Sequence, residues 1–363
     1  MMSNDLKGLM LFAVLSGFAA SIFAPWVHRM NGRLAGWLFA AVPFGLAIYF
    51  AVFIPATASG NVFSLSYDWA PTLGIRFSFL LDGLSLLFAI LISGVGVLVI
   101  IYSAVYLAGH PHLGRFYAYI LMFMGSMLGL VLADNLITLF VFWELTSLSS
   151  YLLIGFDHDQ ETARTAALQA LLVTGGGGLA LLAGFLLIGD IAGSMELSSL
   201  LRSGDVIRAH PLYAWVVLLV LAGAFTKSAQ VPFHFWLPNA MVAPTPVSAY
   251  LHSATMVKAG VYLLARLTPI LGGTETWMIA LMTAGATTMI VGAFLALRQT
   301  DLKLILAYLT VSALGILVLF IGVGTSHAII AAVVFLFGHA LYKGALFLVV
   351  GIVDHATGTR DAR

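Results

Sequence analysis

"TKSAQVPFHFWLPNAMVAPTPVSAYLHSATMVKAG" occupies residues 226–260 and lies between two long apolar runs. It holds Pro232, Pro238, Pro244 and Pro246 within a short span. A proline inside a helix removes one backbone donor and clashes with the preceding turn. No continuous helix can therefore pass from residue 230 to residue 246. Where such a stretch lies at membrane depth, its irregular backbone must be buried in protein or border water. His234 falls inside the break, where an imidazole could hydrate or shuttle protons.

The composition shows that membrane depth is the relevant setting. Hydrophobic residues make up 61% of the 363 positions and charged residues only 9%. A soluble domain carries about 25% charge. The formal net charge is +1, which gives no basis for binding nucleic acid. The chain has no cysteine. Disulfides, thiolate-held iron–sulfur clusters and cysteine zinc sites are thereby excluded, and no pattern implies another metal or a cofactor.

Apolar runs of about 18 residues or more predict membrane helices. They lie near 8–26, 34–55, 79–107, 115–133, 135–156, 165–190, 212–230, 246–268, 277–298, 302–323 and 327–352, about eleven in all. The first lacks a small-residue cleavage site and is expected to stay as a helix. The longest gaps, 56–78 and 190–211, carry polar residues. Arg29, Arg33, Arg115, Arg164, Arg298, Lys303, Arg360 and Arg363 fall on one side of this pattern. Lys7, Arg76, Arg202, Arg208 and Arg266 fall on the other. The positive-inside rule then puts the N-terminus outside. "TGGGGLALLAG" (174–184) has no strand before it and no Lys-Ser/Thr after it, so it is no phosphate loop. Small residues here are expected to let neighbouring helices approach closely.

Several ionisable residues stand inside these runs: Glu144, Lys227, His252, Lys258, His339 and Lys343, with Lys303 opening another run. On a lenient insertion scale each charge at the bilayer centre costs about 2.5–3.5 kcal/mol, so together they would cost roughly 15–20 kcal/mol facing lipid. Net stability of a domain is only about 5–15 kcal/mol. They must pair, lose their charge or line a hydrated interior. Blander roles stay open at this point. Lys303 and Lys227, near helix ends, could snorkel to the surface. Glu144 and Lys227 could be a purely structural ion pair, and His252 or His339 a satisfied core histidine. His339 and Lys343 are four apart and share a helix face.

"FVFWELTSLSSYLLIGF" (140–156), the stretch from Thr226 through Leu267, "DLKLILAYLTVSALG" (301–315) and "FGHALYKGALFLVVGIVDHATGTRD" (337–361) carry a family likeness. They resemble the antiporter-like membrane subunits, namely the proton-translocating subunits of respiratory complex I and the large subunits of Mrp-type cation/proton antiporters. The likeness is greatest to the A-type Mrp subunits, on Lys258 after "HSATMV", the "PFHFWLP" histidine and the "DHATGTRD" ending. It implies an all-α polytopic fold. Residues 1–78 would form N-terminal transmembrane helices and 79–351 the proton-translocating core. That core would hold a complete five-helix repeat at about 115–268, a proline-broken helix and a partial second repeat at 276–351, before a polar end at 352–363. Against the family's two full repeats the chain reads as truncated or as a fragment.

The resemblance further implies that Glu144 and Lys227 form a glutamate–lysine pair, and that His252, Lys258, Lys303, His339 and Lys343 continue a polar axis. It implies exchange of Na⁺ or K⁺ for H⁺ in a bacterial plasma membrane, with other subunits of a hetero-oligomeric complex as partners. Separating a lysine from its carboxylate lowers its proton affinity, because desolvation then opposes the charge. A proton so released would pass along the histidines and lysines. Hard alkali cations prefer oxygen ligands, and Glu144 is nearly the only acid inside the runs, so no cation site is evident. Two other readings fit the residues: a proton-pumping component of a redox-driven complex, or a non-transporting scaffold.

Overall fold

The computed structural model describes residues 4–30, 32–73 and 75–363. The side chains of Lys7 and Arg33, used above for orientation, lie outside the described residues. Among those described, ten helices are long and apolar enough to cross a membrane.

In chain order the elements are α1 (Asn4–Met30), α2 (Gly32–Ala51), α3 (Ile54–Ala58), β1 (Phe63–Ala70), β2 (Ile75–Leu81), α4 (Gly83–Tyr106), α5 (Leu113–Leu132), α6 (Leu136–Ile154) and α7 (Glu161–Ala192). There follow α8 (Leu197–Leu200), α9 (Gly204–Ala209), α10 (Tyr213–Lys227), α11 (Trp236–Asn239), α12 (Thr245–Ser253), α13 (Met256–Leu271), α14 (Glu275–Ala296), α15 (Leu302–Val323) and α16 (Ser326–Thr357). Each predicted apolar run has its helix, with two corrections. The 79–107 run begins as strand: β2 pairs antiparallel with β1, and helix starts only at Gly83, behind an Asp82–Ser85 capping box. The 246–268 run is two helices, because the chain turns at Ala254–Thr255, where Thr255 has φ −127 and ψ −101. No proline marks that break, so the apolar pattern ran through it.

One end of the bundle, face A, carries the α4–α5, α6–α7 and α14–α15 connections. There His110 meets Asp157 at 3.5 Å and Arg115 donates to the Phe156 carbonyl at 3.1 Å. The opposite end, face B, carries the hairpin and the α7–α10 connection. There Asn135 and Ser78 donate to Glu196 at 2.8 and 2.6 Å, and Asp134 accepts from the Ser198 backbone and hydroxyl. The polar gaps of the sequence are thus tied to each other across face B.

Helix α5, with 20 residues, rises about 30 Å and can span the hydrocarbon alone. Helix α10 has 15 residues and rises only about 22 Å. It starts at face B and stops short, because Ser228 and Ala229 turn out of the helix and Ala229 takes a left-handed φ of 49. The chain then winds through a 3₁₀ turn at Phe233–Phe235, α11 and a second 3₁₀ turn at Ala240–Val242. Helix α12 starts behind Pro244, close to Tyr106 near face A, whose hydroxyl lies 3.2 Å from that of Thr245. It runs inward to the Ala254–Thr255 break, and α13 completes the crossing to face B. The expected break between 230 and 246 is therefore present, and a second interruption lies beside it. Glycines set the closest helix contacts: a methyl on Gly285 of α14 would lie 2.5 Å from the Leu319 nitrogen of α15. Small residues act here by letting backbones touch.

Candidate functional site

The ionisable residues inside the apolar runs converge on the two interrupted crossings. Lys227, His252, Lys258 and His339 are 0% exposed, and Lys303 and Lys343 are 1% exposed. At that burial none of the lysines snorkels, which removes the surface alternative for Lys303 and Lys227.

Glu144 sits near the middle of α6. Its Oε1 is fully buried and has no hydrogen-bond partner in the protein. The carboxylate points at α7, into space that exists because positions 175 and 178 lack side chains. A methyl on Gly178 would collide with Oε1, and one on Gly175 would lie 3.8 Å from Oε2. The glycine run therefore does two things. It lets α7 pack against α10, where Gly177 faces Thr226, and it leaves room for the Glu144 carboxylate. Close packing was legible from the residue types; the cradle was not, since it needs the register of α6 against α7.

Lys227 ends α10, and its ammonium group does not reach that carboxylate. Nζ donates to the Trp143 carbonyl at 3.0 Å and to the Ser147 hydroxyl at 2.7 Å, and stands 5.2 Å from the Trp143 ring centre. No ion pair within 4.0 Å joins Glu144 to a cation among the described residues. Glu144 and Lys227 are thus neighbours without a direct bridge, the lysine held on α6 and Oε1 of the glutamate left without a partner. Both contacts of Lys227 come from α6, from residues on either side of Glu144 in sequence.

The other lysines follow one rule: each ammonium group rests on a backbone carbonyl. Lys258 donates to the carbonyls of Ser253, at the α12–α13 break, and of Leu336, at 3.3 Å. Lys303 donates to the Ala243 carbonyl at 2.7 Å, within the proline-broken segment. Lys343 reaches the Leu306 carbonyl at 3.5 Å. Carbonyls freed by the helix interruptions thus face cations that sit beside them, as Ser253 and Ala243 do. Such groups must find partners in an apolar setting.

The histidines complete the set by what they lack. Neither ring nitrogen of His252 or of His339 has a hydrogen-bond partner in the protein. Each imidazole carries one donor and one acceptor when neutral, and buried polar groups without protein partners are ordinarily met by water. His252 lies 6.3 Å, ring to ring, from Trp236, whose indole donates to the Thr226 carbonyl at 2.9 Å. That places His252 one aromatic ring from the Lys227 end of α10. His339 stands one turn from Lys343 on α16, and Lys258 reaches the same helix at the Leu336 carbonyl, three residues before His339. His234 stays apart, half-buried in the Phe233–Phe235 turn.

Trp143, Ser147 and Trp236 enter the site without having been singled out in the sequence, where aromatic and small residues among apolar ones look like core. A further pair was misplaced. Arg266, read above as an outer-loop charge, lies within α13, is 5% exposed and forks onto both oxygens of Asp82, at 2.9 Å for Nη2–Oδ1. Its Nε donates to the Tyr262 hydroxyl at 3.2 Å, which in turn donates to the Val131 carbonyl at 2.8 Å. This network pins α13 to α4 and α5 at face B. Among the described residues no group of three or more His, Asp and Glu side chains could hold a metal ion.

Comparison with known proteins agrees with this architecture. Residues 133–363 match the family model described as NADH:quinone oxidoreductase/Mrp antiporter, transmembrane. Residues 69–117 match that of the NADH-ubiquinone oxidoreductase (complex I) chain 5 N-terminus. The chain is 50% identical, over 96% of its length, to the A/B subunit of a probable K⁺/H⁺ antiporter of Rhizobium meliloti (strain 1021), of which it covers 35%. It is 47% identical, over 97% of its length, to the A subunit of the Na⁺/H⁺ antiporter of Alkalihalophilus pseudofirmus, of which it covers 46%. The chain thus spans less than half the length of these relatives. Its fold superposes on a chain of the Mrp complex from Dietzia sp. DQ12-45-1b with a TM-score of 0.90 at 44% identity, covering 97% of this chain and 38% of that one. A chain of the archaeal membrane-bound sulfane sulfur reductase shares the fold, with a TM-score of 0.86 at 21% identity over 99% of this chain and 73% of that one. This multi-pass membrane chain belongs to the NADH:quinone oxidoreductase/Mrp antiporter transmembrane family.

Proposed function

We propose that the chain is the proton-conducting part of an Mrp-type monovalent cation/proton antiporter. It works in a hetero-oligomeric assembly that exchanges Na⁺ or K⁺ for H⁺ across a bacterial plasma membrane, with its N-terminus outside. The first repeat spans about 115–268 and the partial second repeat 276–351. Protons move along Glu144, Lys227, His252, Lys258, His339 and Lys343, with Lys303 at the face A end.

One observation carries this reading: four buried lysines hold neutral carbonyls rather than carboxylates. A structural role would favour fixed opposite charges. A carbonyl accepts a hydrogen bond from an amine in either protonation state, so each lysine can lose and regain a proton without losing its anchor. Histidines with both nitrogens free of protein partners supply relay positions between them. Glu144 tunes the nearest lysine, since moving an opposite charge toward or away from an amine raises or lowers its proton affinity.

The experiment uses everted vesicles carrying the whole assembly. Lys227→Ala is expected to abolish cation-dependent proton exchange while the protein stays inserted at wild-type abundance. Wild-type exchange from this variant would remove Lys227 from the path. NADH-dependent quinone reduction in the same vesicles, if it required this chain, would instead assign it to a redox-driven complex.

A further inference from the structure

Lys303 is buried, yet it forms part of the wall of two clefts that open at face A. The larger, of about 560 Å³, is lined by Glu161, Gln169, Asn239, Asp301 and Arg360 besides Lys303. The smaller, of about 260 Å³, brings Ala243, Asp157 and His355 beside the same Lys303 and Arg360. Lys303 and Arg360 are thus common to both, and the Ala243 carbonyl that holds the Lys303 ammonium belongs to a residue lining the smaller one.

What lies over Lys303 is built from the chain's last described turn. Asp301 caps α15 with Oδ1, accepting from the backbone of Lys303 at 2.7 Å and of Leu304 at 3.1 Å. Its Oδ2 pairs with Arg360 Nε at 3.1 Å. Residues 360–362 run antiparallel across 300–302, with Leu302 donating to the Arg360 carbonyl and Ala362 to the Thr300 carbonyl, each at 2.9 Å. Arg360 is therefore strapped over the mouth by its backbone, and its side chain ties the strap to the helix cap next to Lys303. The Arg360 and Asp301 side chains are 36% and 29% exposed, so this pair can open to water at small cost. Asn239, which donates to Gln169 at 2.7 Å, closes the opposite wall between α11 and α7.

We propose that protons reach Lys303 from face A through this cleft and that the Arg360–Asp301 ion pair is the latch over it. Arg360 is a positioning residue: its guanidinium stays protonated and relays no proton, and it acts by covering the floor on which Lys303 sits. The Ala243 carbonyl that holds Lys303 lies just ahead of α12, the half-crossing that carries His252, so the cleft adjoins the broken crossing directly. This inference rests on the transport reading above, and its test separates the two.

These 363 residues contain no cysteine, so a thiol introduced here is the only one within them, and the same membranes without it set the background labelling. Ala243→Cys places one thiol on the cleft wall, to be probed with a small cationic methanethiosulfonate in membranes opened to both faces. With Arg360 present, labelling is expected to be slow. Arg360→Gln should speed it about fivefold, the shift that loss of one partly exposed ion pair supplies. Arg360→Lys, which keeps the charge, should restore slow labelling. Equal rates in all three, or no labelling in any, would overturn the latch and the entrance. Proton exchange by the assembly is read in parallel. Faster labelling with altered exchange in Arg360→Gln supports the proposal. Faster labelling with unchanged exchange would overturn it as a proton entrance while leaving the wider pathway standing. Loss of the pathway itself would show instead as wild-type exchange in Lys303→Ala.

Discussion

Glu144 shows how much depends on one side chain in its surroundings. Its carboxylate has an unpartnered buried oxygen, a lysine close by but not bonded, and a cradle made by glycine. Glu144→Gln keeps size and hydrogen bonding but loses charge. A polar contact between membrane helices contributes only about 0.6 kcal/mol on average, so a merely structural residue would tolerate Gln. A residue that tunes a buried lysine would not, since removing one partner of a buried pair costs roughly 3–5 kcal/mol or neutralises the other. The expected outcome is loss of exchange in Glu144→Gln and partial exchange in Glu144→Asp, measured as flux in everted vesicles at matched abundance. Gly178→Ala should behave like Glu144→Gln, because its methyl occupies the carboxylate's space. Full flux in both Gln and Ala variants would make the carboxylate a packing feature. Much of this residue chemistry was legible in the sequence, since an acid or a lysine inside an apolar run is conspicuous. The Trp143 carbonyl, Ser147 and the Glu144 cradle were not, because a backbone carbonyl and a glycine carry no signal until helices are registered against each other.

Among the elements, the two interrupted crossings differ in how they are written. Prolines announce the first; the second, at Ala254–Thr255, has no backbone-breaking residue and follows from tertiary contacts and local bonds such as Thr255 Oγ1 to the Tyr250 carbonyl at 2.6 Å. The same blindness applied to Arg266, which stands near the end of its helix and reads as a loop charge until Asp82 is brought to it. That pair governs how α13 meets α4. Burial alone would raise the Asp82 carboxyl; the Arg266 fork and the Ser85 contacts outweigh it and hold the group below its ordinary 3.8. A carboxylate depressed on folding stabilises above its unfolded value and loses that contribution as pH falls through the folded one. Asp82→Asn is therefore expected to lower the thermal midpoint of the detergent-solubilised protein near neutral pH, by an amount corresponding to roughly 3 kcal/mol. The gap between wild type and variant should close as pH drops below about 4. A pH-independent gap would mean that Asp82 acts through its cap rather than its charge.

For the molecule as a whole, hydropathy was a faithful guide to the order of the apolar helices, while about eleven expected spans stand against ten helices long enough to cross among the described residues, the run at 212–230 holding only the short α10. It was a poor guide to where they stop at the interfaces, as the strand inside the 79–107 run shows. Position across the bilayer also has an electrical meaning. Lys227 and Lys258 lie at the inner ends of half-crossings, whereas Lys303 lies close to face A. A charge carried across the whole membrane gains or loses about 2.3 kcal/mol per 100 mV. On the proposed path, a proton passing from Lys303 to the inner lysines would cross about half of that drop, roughly 1.2 kcal/mol at the same voltage. On that path the interrupted helices would divide the membrane potential into separate electrical steps, so that voltage would bias the occupancy of the inner lysines before any exchange is completed.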